Sequence, residues 1–89
     1  MQHLNIKIFG RVQGVLFRAS AKKKAEELQI IGFARNEPNG SVYIEAEGEK
    51  ENLEKFLNWC HKGPLFATVE KVESEFTSEL KHFIEFHTN

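Results

Sequence analysis

Apolar and polar residues alternate in two stretches of this 89-residue chain. The first stretch runs, in order, through His3, Leu4, Asn5, Ile6, Lys7 and Ile8. In the second, residues 41–48, the apolar set is Val42, Ile44 and Ala46 and the polar set is Tyr43, Glu45 and Glu47. Because strand side chains point alternately to two faces, each stretch predicts a β-strand with one face against a core and the other in water.

Two other stretches have apolar residues at helical spacing, and each predicts a helix that covers the dry face of the sheet. Residues 19–29 are rich in helix-forming residues and follow a glycine-containing loop. Residues 49–62 form the second predicted helix, which Gly63 and Pro64 end. The apolar stripes consist of Ala21, Ala25 and Leu28 in the first helix and of Leu53, Phe56, Leu57 and Cys60 in the second.

Three more strands complete the predicted fold. Residues 31–37 are joined to residues 41–48 by a Pro-Asn-Gly turn, which predicts a hairpin. Residues 67–76 predict a strand in which Val69 and Val72 are out of phase, as in a β-bulge, and residues 82–86 predict a short last strand. The order predicts a ferredoxin-like βαββαβ sandwich: four antiparallel strands plus a C-terminal edge strand, with two helices on one face. We expect residues 1–89 to form a single domain.

The charge of the chain limits its partners. The net charge is −1, whereas proteins that bind nucleic acid generally carry a basic excess. Residues 1–44 hold seven Lys and Arg against three Glu, so an anionic ligand is expected in this half. No apolar run is long enough for a membrane helix. A single cysteine, Cys60, and an N-terminus without the features of a signal peptide favour a cytoplasmic protein.

The acidic residues are all Glu, and the chain contains no Asp. Aspartyl nucleophiles and Asp-based Mg²⁺ or Ca²⁺ sites are therefore excluded. The four histidines show no spacing typical of a zinc site. We expect an activity that needs neither a metal nor another cofactor.

The loop before the first helix is the strongest candidate for chemistry. Its glycines allow successive main-chain N–H groups to converge at the N-terminus of the helix, where anions bind. Arg18 lies in the first helical turn, three and seven residues before Ala21 and Ala25, so its side chain is predicted on the sheet-facing side. Spacing leaves two hypotheses open, an arginine that binds a phosphate and an arginine that extends over the sheet edge into water.

Two motifs resemble the signatures of the acylphosphatase family. The first resembles the phosphate loop of that family and consists of Gly10, Arg11, Val12, Gln13, Gly14, Val15, Leu16, Phe17 and Arg18. The second consists of Gly32, Phe33, Ala34, Arg35 and Asn36, followed by a turn. The resemblance continues through the second helix and the fourth strand without a large insertion.

The resemblance implies hydrolysis of a small acyl phosphate to a carboxylate and inorganic phosphate by a monomeric enzyme without a cofactor. The main-chain amides of residues 11–17 and the guanidinium group of Arg18 would bind the phosphoryl group, and Asn36 would hold the attacking water. Position 37 is Glu, where several members carry a small hydroxyl residue. Support of Asn36 by a hydroxyl group at that position is therefore not expected here.

Other interpretations remain open at this point. Asn36 precedes a turn, where Asn is common for conformational reasons alone. The same loop would also suit a non-catalytic ferredoxin-like module that binds a phosphorylated or nucleic-acid ligand, although the third strand lacks the aromatic motif of RNA-recognition sheets. A further hypothesis is an acylphosphatase-like domain of a larger carbamoyl-transfer enzyme, which would need domains beyond these 89 residues.

Overall fold

The computed structural model describes residues 1–89, and the predicted βαββαβ order is confirmed, with a short fifth strand at the end. In chain order the elements are β1 (Gln2–Arg11), α1 (Phe17–Glu27), β2 (Ile31–Asn36), β3 (Val42–Gly48), α2 (Lys50–Lys62), β4 (Thr68–Thr77) and β5 (Phe86–Thr88). Neither helix has the length and apolar character needed to cross a membrane.

The five strands form one sheet in the order β4-β1-β3-β2-β5. The first four pair antiparallel, as predicted, and β5 pairs parallel with β2 at the edge of the sheet. The predicted bulge in β4 is also confirmed. Phe9 pairs with Lys71 but Gly10 pairs with Val69, so Glu70 has no partner in β1.

The alternation of apolar residues places one face of the sheet against both helices. Leu4 and Ile6 of β1 lie opposite Ala46 and Ile44 of β3, and all four side chains are fully buried. The stripes of both helices pack on them in one hydrophobic core, to which the helices contribute Phe17, Ala21, Ala25, Leu53, Phe56 and Cys60. The predicted dry face and its helical cover are therefore confirmed.

The expectation that the other face is in water is wrong for part of β3 and also for His3 of β1, which is only 2% exposed. Glu45 is only 6% exposed and Glu47 only 1%. The reason is topological, because β4 and β5 lie at opposite edges of the sheet and the chain between them must cross its open face. Residues 78–85, which we name the crossover segment, make this passage and cover Glu47 with the N–H groups of Lys81 and His82.

The prediction of a strand at residues 82–86 is wrong in position, because β5 begins only at Phe86. Phe83 packs instead on the polar face, with its ring centroid 6.1 Å from that of His3 and 5.7 Å from that of Phe33. His82 has a φ of 57°, a left-handed conformation outside the β region. These residues therefore cover the sheet and add no strand to it.

Gly32 in β2 is expected to tolerate no side chain. Its φ is +147°, and an added Cβ would lie 1.9 Å from the carbonyl oxygen of Glu45 in β3. Gly40 is the matched control, because its φ of +91° is also positive but an added Cβ would meet no atom within 4 Å. We expect Gly32→Ala to lower the free energy of unfolding by at least about 3 kcal/mol.

For Gly40→Ala the expected loss is about 1–2 kcal/mol, from backbone conformation alone. Urea denaturation followed by fluorescence of the single tryptophan, Trp59, measures both values. Equal losses in the two variants would contradict the close approach of β2 to β3 at Gly32.

Candidate active site

The sheet topology brings the two predicted motifs to one end of the molecule. Because β1 and β2 both pair antiparallel with β3, they run in the same direction, and their C-terminal ends lie at the same end of the sheet. The loop after β1 and residue Asn36 at the end of β2 therefore lie near each other. β5 runs parallel with β2, so its last residue, Thr88, also lies at this end of the sheet.

A cavity of about 300 Å³ lies where these elements meet. Its walls are formed by Val12, Gly14, Leu16, Phe17, Arg18, Ala19, Asn36 and Thr88. Arg18 and Asn36, which the sequence singles out separately, thus line one cavity. Of the other predicted loop residues, Arg11, Gln13 and Val15 do not line it.

Main-chain N–H groups are concentrated at this cavity. Those of residues 13–19 donate to no main-chain oxygen of the protein. The first N–H groups of a helix lack intrahelical partners and carry the positive end of its dipole, so this loop and helix start together have the features of an anion-binding site. Leu16, which precedes α1, has a φ of 66°, a strained conformation for leucine of the kind found at ligand sites.

Arg18 is half-buried, and its guanidinium group is held at the cavity wall. Its Nη1 donates a hydrogen bond to the main-chain oxygen of Asn89, just after β5. Ala21 and Ala25, on the same side of α1, are fully buried, as the helical spacing predicts. A guanidinium group has five N–H donors, so this single contact leaves others for an anion. A positive side chain in the first helical turn is unfavourable unless an anion compensates it.

The position of Asn36 follows from strand alternation. Gly32, Ala34 and Asn36 lie on the helix-covered face of β2, and Ala34 is fully buried in the core. Asn36 continues this face beyond the core, where its amide is exposed to the cavity. An amide side chain offers both an acceptor and donors, a combination that suits the orientation of a water molecule.

The carboxylate of Glu37 contacts Arg35 and not Asn36. Its carboxylate accepts hydrogen bonds from the Nε and Nη2 groups of Arg35, and Nε lies 3.2 Å from Oε2. The guanidinium carbon of Arg35 also lies 4.9 Å from the ring centroid of Tyr43, in a cation–π contact. No hydrogen bond joins Glu37 to the side chain of Asn36. Glu37 thus holds the side chain of the exposed Arg35 against the face of the sheet opposite the helices.

Gln13 connects the two motifs. Its side-chain amide donates hydrogen bonds to the carbonyl oxygens of Glu37, at 2.8 Å, and of Ser41, at 2.9 Å. These carbonyls flank the turn of the β2–β3 hairpin, so Gln13 holds the loop against the strand that carries Asn36. Sequence reasoning assigned Gln13 to the loop only through its main chain and missed this side-chain role.

Thr88 and Asn89 were also missed. Thr88 lines the cavity, and Asn89 donates its N–H to the carbonyl oxygen of Ala34 at 3.0 Å while its oxygen contacts Arg18. No local signal marks these residues, because their roles depend on the parallel pairing of β5 with β2. The predicted C-terminal edge strand, residues 82–86, stops before both of them.

The sequence matches a known protein family over almost its whole length. The family model described as acylphosphatase matches residues 4–88. The acylphosphatase of Marinobacter nauticus is 43% identical over 81 residues, which cover 91% of this chain and 88% of the relative. That of Methylococcus capsulatus is 41% identical, with coverage of 97% and 94%.

The fold has an equally complete counterpart among solved structures. The crystal structure of acylphosphatase from Bacillus subtilis superposes with a TM-score of 0.97 at 29% sequence identity. The superposition covers 100% of this chain and 99% of that chain. Since both the sequence match and the structural match extend over almost the whole molecule, this chain belongs to the acylphosphatase family.

Proposed function

We propose that the cavity binds the phosphoryl group of a small acyl phosphate and that Arg18 and Asn36 are its catalytic residues. The chain is an acylphosphatase, an enzyme that hydrolyses the carboxyl–phosphate bond. The observation that carries the residue assignment is the presence of Arg18 and Asn36 in one cavity, next to the free main-chain N–H groups of residues 13–19.

The chemistry of the substrate explains why so few side chains suffice. An acyl phosphate is a mixed anhydride, and its leaving group is a carboxylate that is stable as an anion at neutral pH. Protonation of the leaving group by a strong general acid is therefore unnecessary. The enzyme has to orient a water molecule in line with phosphorus and to stabilise charge on the equatorial oxygens.

In the proposed step the water oxygen forms a bond to phosphorus, and the bond between phosphorus and the acyl oxygen breaks. The electron pair of that bond leaves with the carboxylate, and the water proton passes to a phosphoryl oxygen of the substrate. Asn36 orients the water through its amide but cannot deprotonate it, which is why the substrate has to accept the proton. The products are a carboxylate and inorganic phosphate.

Charge stabilisation is assigned to Arg18 and to the main-chain donors of the loop. A guanidinium group matches two phosphoryl oxygens at once, and fixed N–H groups need no reorganisation as charge develops. Supporting groups keep this cradle in place, namely the side chain of Gln13 and the main-chain oxygen of Asn89. We assign Arg11 no direct contact with the phosphoryl group, because it is exposed and does not line the cavity.

The cellular setting belongs to the same proposal. Residues 1–89 would work as a single domain and as a monomer, since every element packs on one core. Cys60 is buried and free, which suits a reducing cytoplasm and gives no thiol for an intermolecular disulfide. No nucleic acid would take part, in keeping with the net charge of −1.

A hydrolysis assay tests the function. Purified protein incubated with benzoyl phosphate in the presence of EDTA should release benzoate and inorganic phosphate in equal amounts, and inorganic phosphate should inhibit competitively. Loss of activity in EDTA would overturn the arginine-based scheme, because that scheme uses no metal. Binding of phosphate without turnover would favour the non-catalytic phosphate-binding module.

A further inference from the structure

The carboxylate of Glu47 is fully buried on the face of the sheet opposite the helices, far along the chain from both motifs. It accepts hydrogen bonds from the main-chain N–H groups of Lys81, at 2.5 Å, and His82, at 3.0 Å. Its Oε2 also lies 2.7 Å from Nδ1 of His3. Glu47 therefore ties β1 and β3 to the crossover segment through one side chain.

The charge of Glu47 is maintained by these contacts. Burial alone would raise the pKa of Glu47, but the hydrogen bonds from Lys81 and His3 outweigh it and hold the pKa below that of an ordinary glutamate. The carboxylate is therefore ionised at neutral pH. Charge-assisted hydrogen bonds of this kind are about twice as strong as neutral ones, so the crossover segment is firmly held where it passes Glu47.

A second carboxylate, that of Glu45, holds the crossover segment only through a side chain. Its Oε1 lies 2.8 Å from Nζ of Lys81 and 3.2 Å from Nε2 of His3, and its Oε2 accepts a hydrogen bond from Tyr43. The Lys81 side chain is more than half exposed, which weakens this ion pair. Glu47 is thus the acidic residue that holds the main chain of the crossover segment.

The crossover segment leads directly into the active-site wall. Glu85, its last residue, accepts a hydrogen bond from the N–H of Gly32, and β5 then pairs with β2. Three residues later Thr88 lines the cavity, and the next residue, Asn89, supplies the oxygen that accepts from Arg18. The crossover segment, β5 and the oxygen that contacts Arg18 therefore follow one another directly along the chain.

We propose that Glu47 is a positioning residue: by holding the N–H groups of Lys81 and His82 it fixes β5, and β5 in turn orients Arg18 for phosphate. This proposal rests on the assignment of Arg18 to phosphate binding made above. Glu47 lies on the opposite face of the sheet and belongs to neither of the two sequence motifs. Misplacement of a binding group by about 1 Å is enough to reduce activity strongly.

Two substitutions at Glu47 remove its hydrogen bonds to Lys81 and His82 to different degrees. Glu47→Gln keeps the shape and one acceptor but turns a donor toward one N–H group, and Glu47→Leu removes both acceptors. We expect Glu47→Leu to weaken inhibition by inorganic phosphate and to raise KM for benzoyl phosphate by about tenfold or more, with a smaller change in Glu47→Gln. If Glu47→Leu does not fold, the Gln variant carries the test.

Two control variants separate positioning from general loss of stability. Lys81→Ala removes the contact with Glu45 but keeps the main-chain N–H that Glu47 binds, so its phosphate inhibition should match that of the wild type. Val72→Ala removes packing at the far edge of the sheet, on β4, and should lower the melting temperature without changing KM. A rise in KM in Val72→Ala equal to that in Glu47→Gln would overturn the proposal.

Amide hydrogen exchange supplies the readout that a purely structural role would not move. If the two sites are coupled, phosphate binding must slow exchange at the N–H groups of Lys81 and His82 in the wild type, because coupling is reciprocal. In Glu47→Gln these amides should exchange faster, and phosphate should protect them less.

Phosphate affinity equal to that of the wild type in Glu47→Gln, despite faster exchange, would overturn the positioning role and leave the proposed function intact. Absence of phosphate inhibition in the wild type would instead overturn the proposed function, and the positioning role with it.

Discussion

Replacement of Arg18 by alanine is expected to lower kcat/KM for benzoyl phosphate by about 10²–10³-fold or more. The reason is the loss of the only side-chain cation that lines the cavity. Phosphate inhibition should weaken in parallel, since the same group binds ground-state and transition-state oxygens. Steady-state kinetics at a fixed salt concentration measure both effects.

Two further variants make the test of Arg18 specific. Arg11→Ala removes the same charge from an exposed residue outside the cavity, and its kcat/KM should stay within about threefold of the wild type. Arg18→Lys should recover little, because an ammonium group lacks the planar pair of donors that fits two phosphoryl oxygens. Equal losses in the Arg11 and Arg18 variants would point to general electrostatic attraction and contradict a specific phosphate contact.

Replacement of Asn36 by alanine is expected to reduce kcat by about 10²–10³-fold through loss of water orientation. Unlike the Arg18 variant, it should change the inhibition constant of inorganic phosphate by less than about threefold, because the amide is assigned to the water and not to the phosphoryl group. A low kcat with intact phosphate binding therefore distinguishes water orientation by Asn36 from phosphate binding by Arg18.

Asn58→Ala is the control for Asn36, since Asn58 is exposed on α2 and does not line the cavity. It should leave kcat unchanged. Near-normal turnover in Asn36→Ala would show that Asn36 serves only the turn that follows it, the alternative that its place in the sequence leaves open.

Much of the fold could be predicted because its signals are local. The period of two in residues 3–8 and 42–47 gave the buried faces of β1 and β3, and the helical stripes gave the faces of α1 and α2 that pack on them. The out-of-phase valines, Val69 and Val72, even revealed the bulge in β4. Each of these features depends on residues within a few positions of one another.

The two central residues of the candidate site were proposed on different grounds. Helical spacing with Ala21 and Ala25 directs the side chain of Arg18 toward the helix–sheet interface. Asn36, in contrast, was assigned only because its motif resembles that of the acylphosphatase family. The polar face was predicted less well. Alternation marked Glu45 and Glu47 as polar but could not show that the crossover segment would bury them.

By itself, the sequence determined the first four strands, both helices, the loop with its arginine, and the faces of β1, β3 and the helices that enter the core. Only the tertiary structure decided that β5 pairs parallel with β2, that Asn89 contacts Arg18, and that Glu47 holds the chain leading there. These contacts join residues 34 or more positions apart, and they depend on the order of strands in the sheet. Local periodicity carries no information about such pairs, because it reports which way a side chain points and not which distant residue meets it.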